Sequence, residues 1–471
     1  MRLRRGFVKA AAAALTVVAA AFGILVAANV AMFRNAVADE LTEVQRRELE
    51  NVLNAGFPGR GKILTALPYN LERPRLDVRA DSAVLVNCSN GNVLFEKNAD
   101  EVIPPASMTK LFVMYVVLEE ISAGRMSYSQ VIPVPEESLA CNMPPRSSLM
   151  FLGEGQIVTV EELLLGLSIC SGNDAAYALA YTISGGMEPF IARMNTLAAE
   201  LGLEHTRFVE SSGYSELNTT TAREMAAFSR IYISRHPEAI EKFHSVNSFT
   251  YPKPHNMAPG DRWGAQDFSG GLPRHITMGI TQRNTNPLLG TLDGCDGLKT
   301  GYIDESGYNL SLTAARDGNR FISVTMRGPG KNAAEGNAGR VHDGTALMEW
   351  AFSSFADYDA SGALLEYPVM CAGGKQRKIL LVPAFSETVL TVPFITGATK
   401  NECAASVTVA VEIPDYVDGG ILAGTVCGNV KFMLDGHLLW NVPLVADRSV
   451  RKSGFLMRLV TTAAVRILLN F

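Results

Sequence analysis

The chain has 471 residues, 47% of them hydrophobic, and a formal net charge of -5 at pH 7. That length exceeds one ordinary domain, the apolar content supplies more than one core, and the acidic balance excludes the basic face of a nucleic-acid binder. Seven cysteines, at 88, 141, 170, 295, 371, 403 and 427, form no C-x-x-C pair, and the seven histidines form no i,i+4 pair, so no metal or cofactor site is expected. The cysteine count is odd, which leaves at least one unpaired within the chain. There is no G-x-S-x-G elbow of a histidine-assisted hydrolase.

The first segment, 1–38, carries Arg2, Arg4, Arg5 and Lys9, then runs uncharged from Ala10 to Phe33 and ends in Ala36-Val37-Ala38. That is the pattern of a secretory leader with an A-x-A site, and the run is also long enough to span a bilayer. A signal peptide or a signal anchor is therefore expected, and either exports the rest of the chain. Residues 39–75 hold one helical pattern, Leu41 to Leu53, and a Gly/Pro stretch from Gly56 to Gly61. They read as a linker or a packing extension without chemistry.

From Ser82 the alternation predicts a hairpin, with strands at Ala83–Val86 and Asn92–Phe95 around Asn90-Gly91. Helical patterns follow from Ser107 to about Arg235, including Leu111–Ile121, Val160–Cys170, Gly186–Leu203 and Thr221–Arg235. Strands return at Gly297–Tyr302, Tyr308–Ala315 and Phe321–Arg327, before a last helix near Ala346–Phe352. Strands at both ends of a helical middle predict one domain, 76–355, whose antiparallel sheet is built from distant segments and carries helices.

Three short motifs lie in this domain. Ser107-Met108-Thr109-Lys110 follows Pro104-Pro105 and opens an apolar helix. Serine and lysine at i and i+3 share a helical face with Cβ atoms roughly 5–6 Å apart, so the lysine can reach the hydroxyl. Ser171-Gly172-Asn173 puts a second hydroxyl and an amide in a loop. Lys299-Thr300-Gly301 offers charge, a hydrogen-bond donor and close backbone approach on an edge strand, which suits a substrate carboxylate. Each alone is weak: Ser449–Lys452 also matches S-x-x-K, and Ser245–Asn247 also matches S-x-N. Their order and contexts, helix start, loop and strand, carry the weight.

Composition shifts after Phe355. Strand runs at Lys378–Pro383, Thr388–Phe394, Ser406–Ile413, Asn429–Leu434 and His437–Val442, punctuated by glycine and proline, predict a small all-β sandwich over 356–447. The tail, 448–471, repeats Phe455, Leu456, Leu459, Val460, Ala463, Ile467, Leu468 and Phe471 at helical spacing opposite Arg458, Thr462 and Arg466, preceded by Arg451 and Lys452. A basic amphipathic helix at a chain end suits a membrane surface.

With these residues in view, the chain resembles the D-alanyl-D-alanine carboxypeptidases of the low-molecular-mass penicillin-binding protein type. The likeness extends over Pro104–Lys110, Ser171–Ala176, Asp296–Tyr302, Gly307–Leu310, the β domain and the tail. It implies an α/β (α+β) penicillin-binding-protein/β-lactamase-like catalytic domain with a helical subdomain. It also implies acyl transfer on peptidoglycan stem peptides ending in D-Ala-D-Ala, with β-lactam antibiotics as trapped mimics, at the outer face of the bacterial cytoplasmic membrane. Ser107 would be the nucleophile, Lys110 its base and Ser171 a proton relay. Asn173 and Lys299 would bind substrate, Thr300 and Arg340 its terminal carboxylate, and the N–H groups of Ser107 and Tyr302 would form the oxyanion hole beside Gly301.

Two features depart from the family: the long segment between Ala38 and Leu76, and Ser211-Ser212-Gly213 where a Thr-Gly pair is expected. A β-lactamase would carry a deacylating glutamate where Tyr214 stands in Tyr214–Asn218. An endopeptidase acting on cross-links, or a catalytically silent envelope scaffold, are the other readings of the same motifs.

Overall fold

The computed structural model describes residues 2–470 except 73, 265, 267, 395–401, 403 and 404, with side chains from residue 8 onward. It forms two compact units, one of Ile63–Leu67 and Leu71–Ala356, the other of Met1–Lys62, Pro68–Asn70 and Asp357–Phe471. The chain opens with two helices of the smaller unit, α1 (Arg2–Asn35) and α2 (Glu43–Gly56).

The larger unit begins with β1 (Thr65–Ala66), β2 (Ser82–Asn87) and β3 (Asn92–Lys97). Helix α3 (Lys110–Ser122) follows, then a short ribbon of β4 (Val131–Pro133) and β5 (Ile157–Thr159). Four helices come next, α4 (Val160–Leu165), α5 (Asn173–Ser184), α6 (Met187–Glu200) and α7 (Ala222–Arg235), and a second ribbon of β6 (Ser248–Tyr251) and β7 (Ile280–Arg283). The meander β8 (Cys295–Ile303), β9 (Gly307–Arg316) and β10 (Asn319–Gly328) then leads into α8 (Ala333–Ser354). Both ribbons escape sequence reading, because three or four residues are too few to show alternation.

The strands assemble in the order β1-β3-β2-β10-β9-β8, so the first hairpin pairs through β2 with β10 and leaves β8 at an edge. The β9–β10 turn places Asp317 and Gly318 both at positive φ, the geometry of a type I′ hairpin. Period-two alternation feeds two cores: Val84, Val86, Ile322 and Val324 join the helical half, whereas Leu85, Leu310, Leu312 and Phe321 meet Leu347, Met348 and Ala351 of α8. Helix α3 is apolar all round from Leu111 to Leu118 and lies at the centre of the helical half, as such a helix must. Its Phe112 stacks on Phe228 at 3.5 Å between ring centroids and meets Phe208 at 4.7 Å.

Helix α8 starts thirteen residues before the expected Ala346. Asn332 caps it by accepting the N–H groups of Ala334 and Glu335, both at 3.1 Å. Its first half lacks an apolar stripe because Gly336 lets the Tyr308 ring lie against the backbone, so hydrophobic periodicity marks only the second half.

In the smaller unit, β11 (Phe355–Asp359), β12 (Tyr367–Ala372), β13 (Lys378–Pro383), β14 (Val389–Pro393), β15 (Val407–Glu412), β16 (Tyr416–Asp418), β17 (Val426–Leu434) and β18 (His437–Ala446) precede α9 (Phe455–Leu469). Six strands pair in the order β15-β17-β18-β13-β12-β16, and β11 pairs with β14. Leu390 and Val392 of β14 share a core with Ile379, Leu381, Val430 and Phe432, which makes the all-β domain a sandwich. Helix α2, opened by a Thr42/Gln45 capping box, packs Leu49 and Leu53 on Ala384, Ala423 and Val445. Helix α9 buries Val460, Thr461, Ala464 and Val465 and leaves Phe455, Leu456 and Leu459 exposed. The six described cysteines are free thiols; Cys403 and Phe471 lie outside the described residues.

Candidate active site

Ser107 sits in a single 3₁₀ turn, Ala106–Thr109, from which α3 continues. The turn is reached through Ala106 at φ +49, a left-handed conformation that alanine adopts only under constraint. Two glycines close on it. A Cβ on Gly301 would lie 2.5 Å from the Pro105 carbonyl oxygen and 3.2 Å from the Ser107 nitrogen, and one on Gly213 would collide with the Ala106 carbonyl. Backbone from β8 and from the 211–213 loop thus clamps the Ser107 turn from two directions.

The i,i+3 spacing brings Lys110 Nζ to 3.0 Å from Ser107 Oγ. The amine nitrogen is wholly buried, 2.8 Å from Asn173 Oδ1 and 2.5 Å from the Ser212 carbonyl oxygen. Burial brings its pKa down to about 7, against the opposing pull of the Glu210 and Asp174 carboxylates. Lys299 is pushed well below the ordinary lysine value by burial first, then by the positive charges of Lys110 and Arg340. Lys299 Nζ donates to Ser171 Oγ at 3.0 Å and to the Thr300 carbonyl at 3.1 Å.

Helix α4 runs on as one π-helical turn, Gly166–Cys170, and ends at Ser171 in the left-handed region, φ +57. That twist delivers Ser171 and Asn173 on either side of Gly172. Asn173 is held by Ser147, whose Oγ accepts from its Nδ2 at 3.1 Å. The adjacent Asp174 carboxylate, fully buried, accepts the backbone N–H groups of Met150, Phe151 and Leu152 at 2.8–3.1 Å. Burial raises its pKa against those donors. Cys170 is buried and its thiol is pushed up to about 12, which makes it a packing residue without nucleophilic character.

On the edge strand, Thr300 Oγ1 donates to Thr285 Oγ1 at 2.8 Å, and Tyr302 OH donates to Asp304 at 2.7 Å. Asp304 also pairs with Arg146 at 3.1 Å. A cleft of about 280 Å³ lies above, lined by Ser107, Asn173, Tyr302, Gly213, Tyr214 and Arg146 among others.

Ser107, Lys110, Ser171, Asn173, Lys299, Thr300, Gly301 and Tyr302 are therefore gathered from 3₁₀ turn, helix start, loop and edge strand into one place. Arg340 reaches the same strand from behind. Its Nη2 donates to the Gly301 carbonyl at 2.6 Å, its Nε to the Asn309 carbonyl at 3.1 Å and its Nη1 to Asn337 at 2.8 Å, so the guanidinium braces the β8–β9 pair instead of presenting a free fork to the cleft. Sequence reading missed Ser147, Asp174, Glu210, Ser212 and Thr285. Ser212 contributes only a main-chain carbonyl, which carries no signature, and Glu210 works by accepting the N–H groups of Ser212 and Gly213, both at 2.6 Å.

A serine facing a buried lysine three residues on, beside a second serine–lysine pair on a sheet edge, defines a serine acyltransferase that works without histidine. His244, next to β8, is committed elsewhere, bonded to Tyr232 at 2.8 Å and held near pKa 4 by burial. The chain belongs to the D-alanyl-D-alanine carboxypeptidase family, matched over residues 69–330, and is a serine-type hydrolase. It is 30% identical over 387 residues to D-alanyl-D-alanine carboxypeptidase DacF of Bacillus subtilis, covering 81% of this chain and 89% of that one. It is 30% identical over 397 residues to DacC of Escherichia coli, covering 83% and 89%. The fold is similar to that of penicillin binding protein 5 from Haemophilus influenzae, with a TM-score of 0.64 at 27% identity over 81% of this chain and 100% of that one.

Proposed function

We propose that this carboxypeptidase removes the terminal D-alanine from peptidoglycan stem peptides ending in D-Ala-D-Ala through a Ser107 ester, and that β-lactams trap it at that ester. The observation that carries the reading is the environment of Lys110 Nζ. Its two other partners, Asn173 Oδ1 and the Ser212 carbonyl, can only accept. A neutral amine donates its two hydrogens to them and keeps its lone pair for the Ser107 hydroxyl, which is the arrangement of a general base.

The substrate lies along the free edge of β8 as an extra strand, with Asn173 holding its backbone. Ser107 Oγ attacks the carbonyl between the two D-alanines while its proton passes to Lys110. The N–H groups of Ser107 and Tyr302 receive the oxyanion. On collapse, Ser171, polarised by Lys299, hands a proton to the departing amine nitrogen and takes one from Lys110, which becomes neutral again, and the C–N bond breaks. Thr300 and Lys299 hold the terminal carboxylate, whose charge restores the proton that burial and repulsion tend to strip from Lys299. Arg340 acts on it through the strand it braces, as a positioning residue with a supporting positive charge. Water then attacks the ester with Lys110 again as base.

Tyr214 occupies the place of a β-lactamase deacylating glutamate and donates its hydroxyl to the Pro145 carbonyl at 3.3 Å. The nearby Glu210 carboxylate is committed to backbone donors. A penicilloyl ester is therefore expected to persist.

On this reading the enzyme works at the outer face of a bacterial cytoplasmic membrane, and the exposed Phe455, Leu456 and Leu459 of α9, beside the tail's cations, support a contact with the lipid surface. The test is D-alanine release from a diacyl-lysyl-D-Ala-D-Ala tripeptide by the detergent-solubilised chain, with Ser107→Ala beside it and the penicillin adduct mass recorded. Release and adduct that both vanish in the variant support the reading; an adduct without release would redirect it to cross-linked substrates.

A further inference from the structure

Taking the carboxypeptidase reading as its premise, we propose that Arg146 and Asp304 form an exchangeable ion pair that reads the substrate residue just before D-Ala-D-Ala. The side chain it selects ends in an α-amino-acid group, with an ammonium and a carboxylate on one carbon.

The direction of the substrate fixes which part of it meets the pair. Its terminal carboxylate lies at Lys299 and Thr300, and the attacked carbonyl lies at Ser107 and the Tyr302 N–H. A chain laid on the edge of β8 therefore advances from 300 toward 304 as it recedes from its own terminus. A strand spacing of about 3.3 Å per residue brings the residue before the two D-alanines beside Ile303 and Asp304. Both of these line the cleft together with Ser107 and Arg146.

Arg146 Nη1 and Nη2 donate to Asp304 Oδ2 and Oδ1 at 3.1 and 3.4 Å, and Asp304 Oδ1 also accepts from Tyr302 OH at 2.7 Å. The neighbouring Pro145 carbonyl accepts from Tyr214 OH at 3.3 Å. Residues 145 and 146 thus tie together two walls of the cleft, the loop that carries Tyr214 and the turn after β8. Arg146 stands at φ +67, in the left-handed region that arginine rarely adopts. The two side chains are 75% and 59% exposed, and an ion pair so open to water adds little to stability, because each charge is well hydrated when alone. Holding the fold together therefore explains neither the strained backbone nor the pair, and the pair opens to another partner at little cost.

Charge decides the partner. Glu216 and Glu305 are exposed in the same lining, so the mouth holds three carboxylates against one guanidinium. A side chain ending in a carboxylate alone meets Arg146 but is repelled by the glutamates. One ending in an ammonium alone suits the carboxylates but is repelled by the guanidinium. A zwitterionic end lays its carboxylate on the planar fork of Arg146 and its ammonium on Asp304, so each charge of the protein pair exchanges one partner for another and none is left alone. An amine acylated by a cross-link has lost the ammonium, so the same mouth favours stem peptides that are not cross-linked there.

The test measures D-alanine release by the detergent-solubilised chain from three peptides of the form Nα-acetyl-X-D-Ala-D-Ala. X is lysine with a carboxylate on its ε-carbon, plain lysine, or the first of these with its ε-amine acetylated, which present both charges, the ammonium alone and the carboxylate alone. Ratios of kcat/KM between peptides cancel any general effect of a variant on the loop before Ser147. The peptide with both charges is expected to exceed each of the others by about tenfold or more, the scale of one charge-assisted contact. Arg146→Gln collapses its advantage over the ammonium peptide to less than about twofold, and Asp304→Asn does the same to its advantage over the carboxylate peptide. Equal rates for the three peptides in the unaltered chain overturn the proposal, as does a preference that survives both substitutions. Release from none of the three overturns the carboxypeptidase reading itself, and this proposal with it.

Discussion

Lys110 is the group on which the proposed chemistry turns, and its protonation can be followed directly. With a pKa brought down to about 7 by burial, it is a competent base above neutrality and increasingly a bound cation below it. At pH 5, two units lower, about 1% of the enzyme carries the neutral amine, so acylation falls on the order of 100-fold from its alkaline plateau, or about 2.7 kcal/mol in the barrier. Single-turnover acylation by a fluorescent penicillin, followed by stopped flow from pH 5 to 9, reads this limb, with circular dichroism at each pH to show that the fold persists. Glu210→Gln removes the carboxylate that holds the pKa up and moves the limb to lower pH, while the amide oxygen keeps an acceptor for the 212–213 loop. Lys110→Arg, which cannot lose a proton, loses 10²-fold to 10⁴-fold at every pH, the usual range for a deleted general base. An acylation rate at pH 5.5 within twofold of that at pH 8, in a folded protein, would falsify the assignment of the base.

Gly301→Ala tests the clamp on the nucleophile turn. The new methyl at 2.5 Å from the Pro105 oxygen needs about 3.3 Å, and a retreat of roughly 0.8 Å by the Ser107 turn should slow acylation on the order of 10²-fold; an unchanged rate would mean that the turn and strand do not confront each other. Arg340→Gln leaves the buried Gly301 and Asn309 carbonyls under-bonded, so we expect a loss of about 2–4 kcal/mol in denaturant unfolding, together with a raised KM for the tripeptide. A raised KM at unchanged stability would restore Arg340 as a direct ligand of the carboxylate. Asp174→Asn removes the carboxylate from four backbone donors and should cost about 2–3 kcal/mol, with penicillin acylation slowed because Asn173 and Ser147 share that loop; unchanged unfolding would refute it.

His244 makes acid stability testable. Its folded pKa of about 4 lies below the ordinary 6.5, so between those values the unfolded chain binds a proton that the folded one refuses. Stability from this group is complete above pH 6.5 and declines as pH falls, by about 3 kcal/mol at pH 4. Urea midpoints that do not drop between pH 7 and 4.5, or drop equally in His244→Gln, would show that the buried ring is not the source.

The outer limits of the chemistry were legible in the sequence, because they rest on local rules. A lysine three residues after a serine at a helix start must lie on its face, and an alternating run between turn residues must form a strand. Thus the Ser107–Lys110 pair, the β2–β3 hairpin, the β8–β10 meander and most strands of the sandwich follow from patterns within a few residues of one another. The rest depends on contacts between segments far apart in the chain. Nothing near Lys110 in sequence says that Ser212 will supply a carbonyl, or that Gly213 and Gly301 will press on the Ala106–Ser107 backbone, because main-chain groups have no residue code. Arg340 could be chosen as a cation near the end of the domain, but only the packed β8–β9 pair decides that its fork is filled by the Gly301 and Asn309 carbonyls. The leader likewise reads as an export signal from composition alone. Its contact with the folded domain is not legible there, because Arg377, 348 residues away, meets Asn29 only once the β domain has folded.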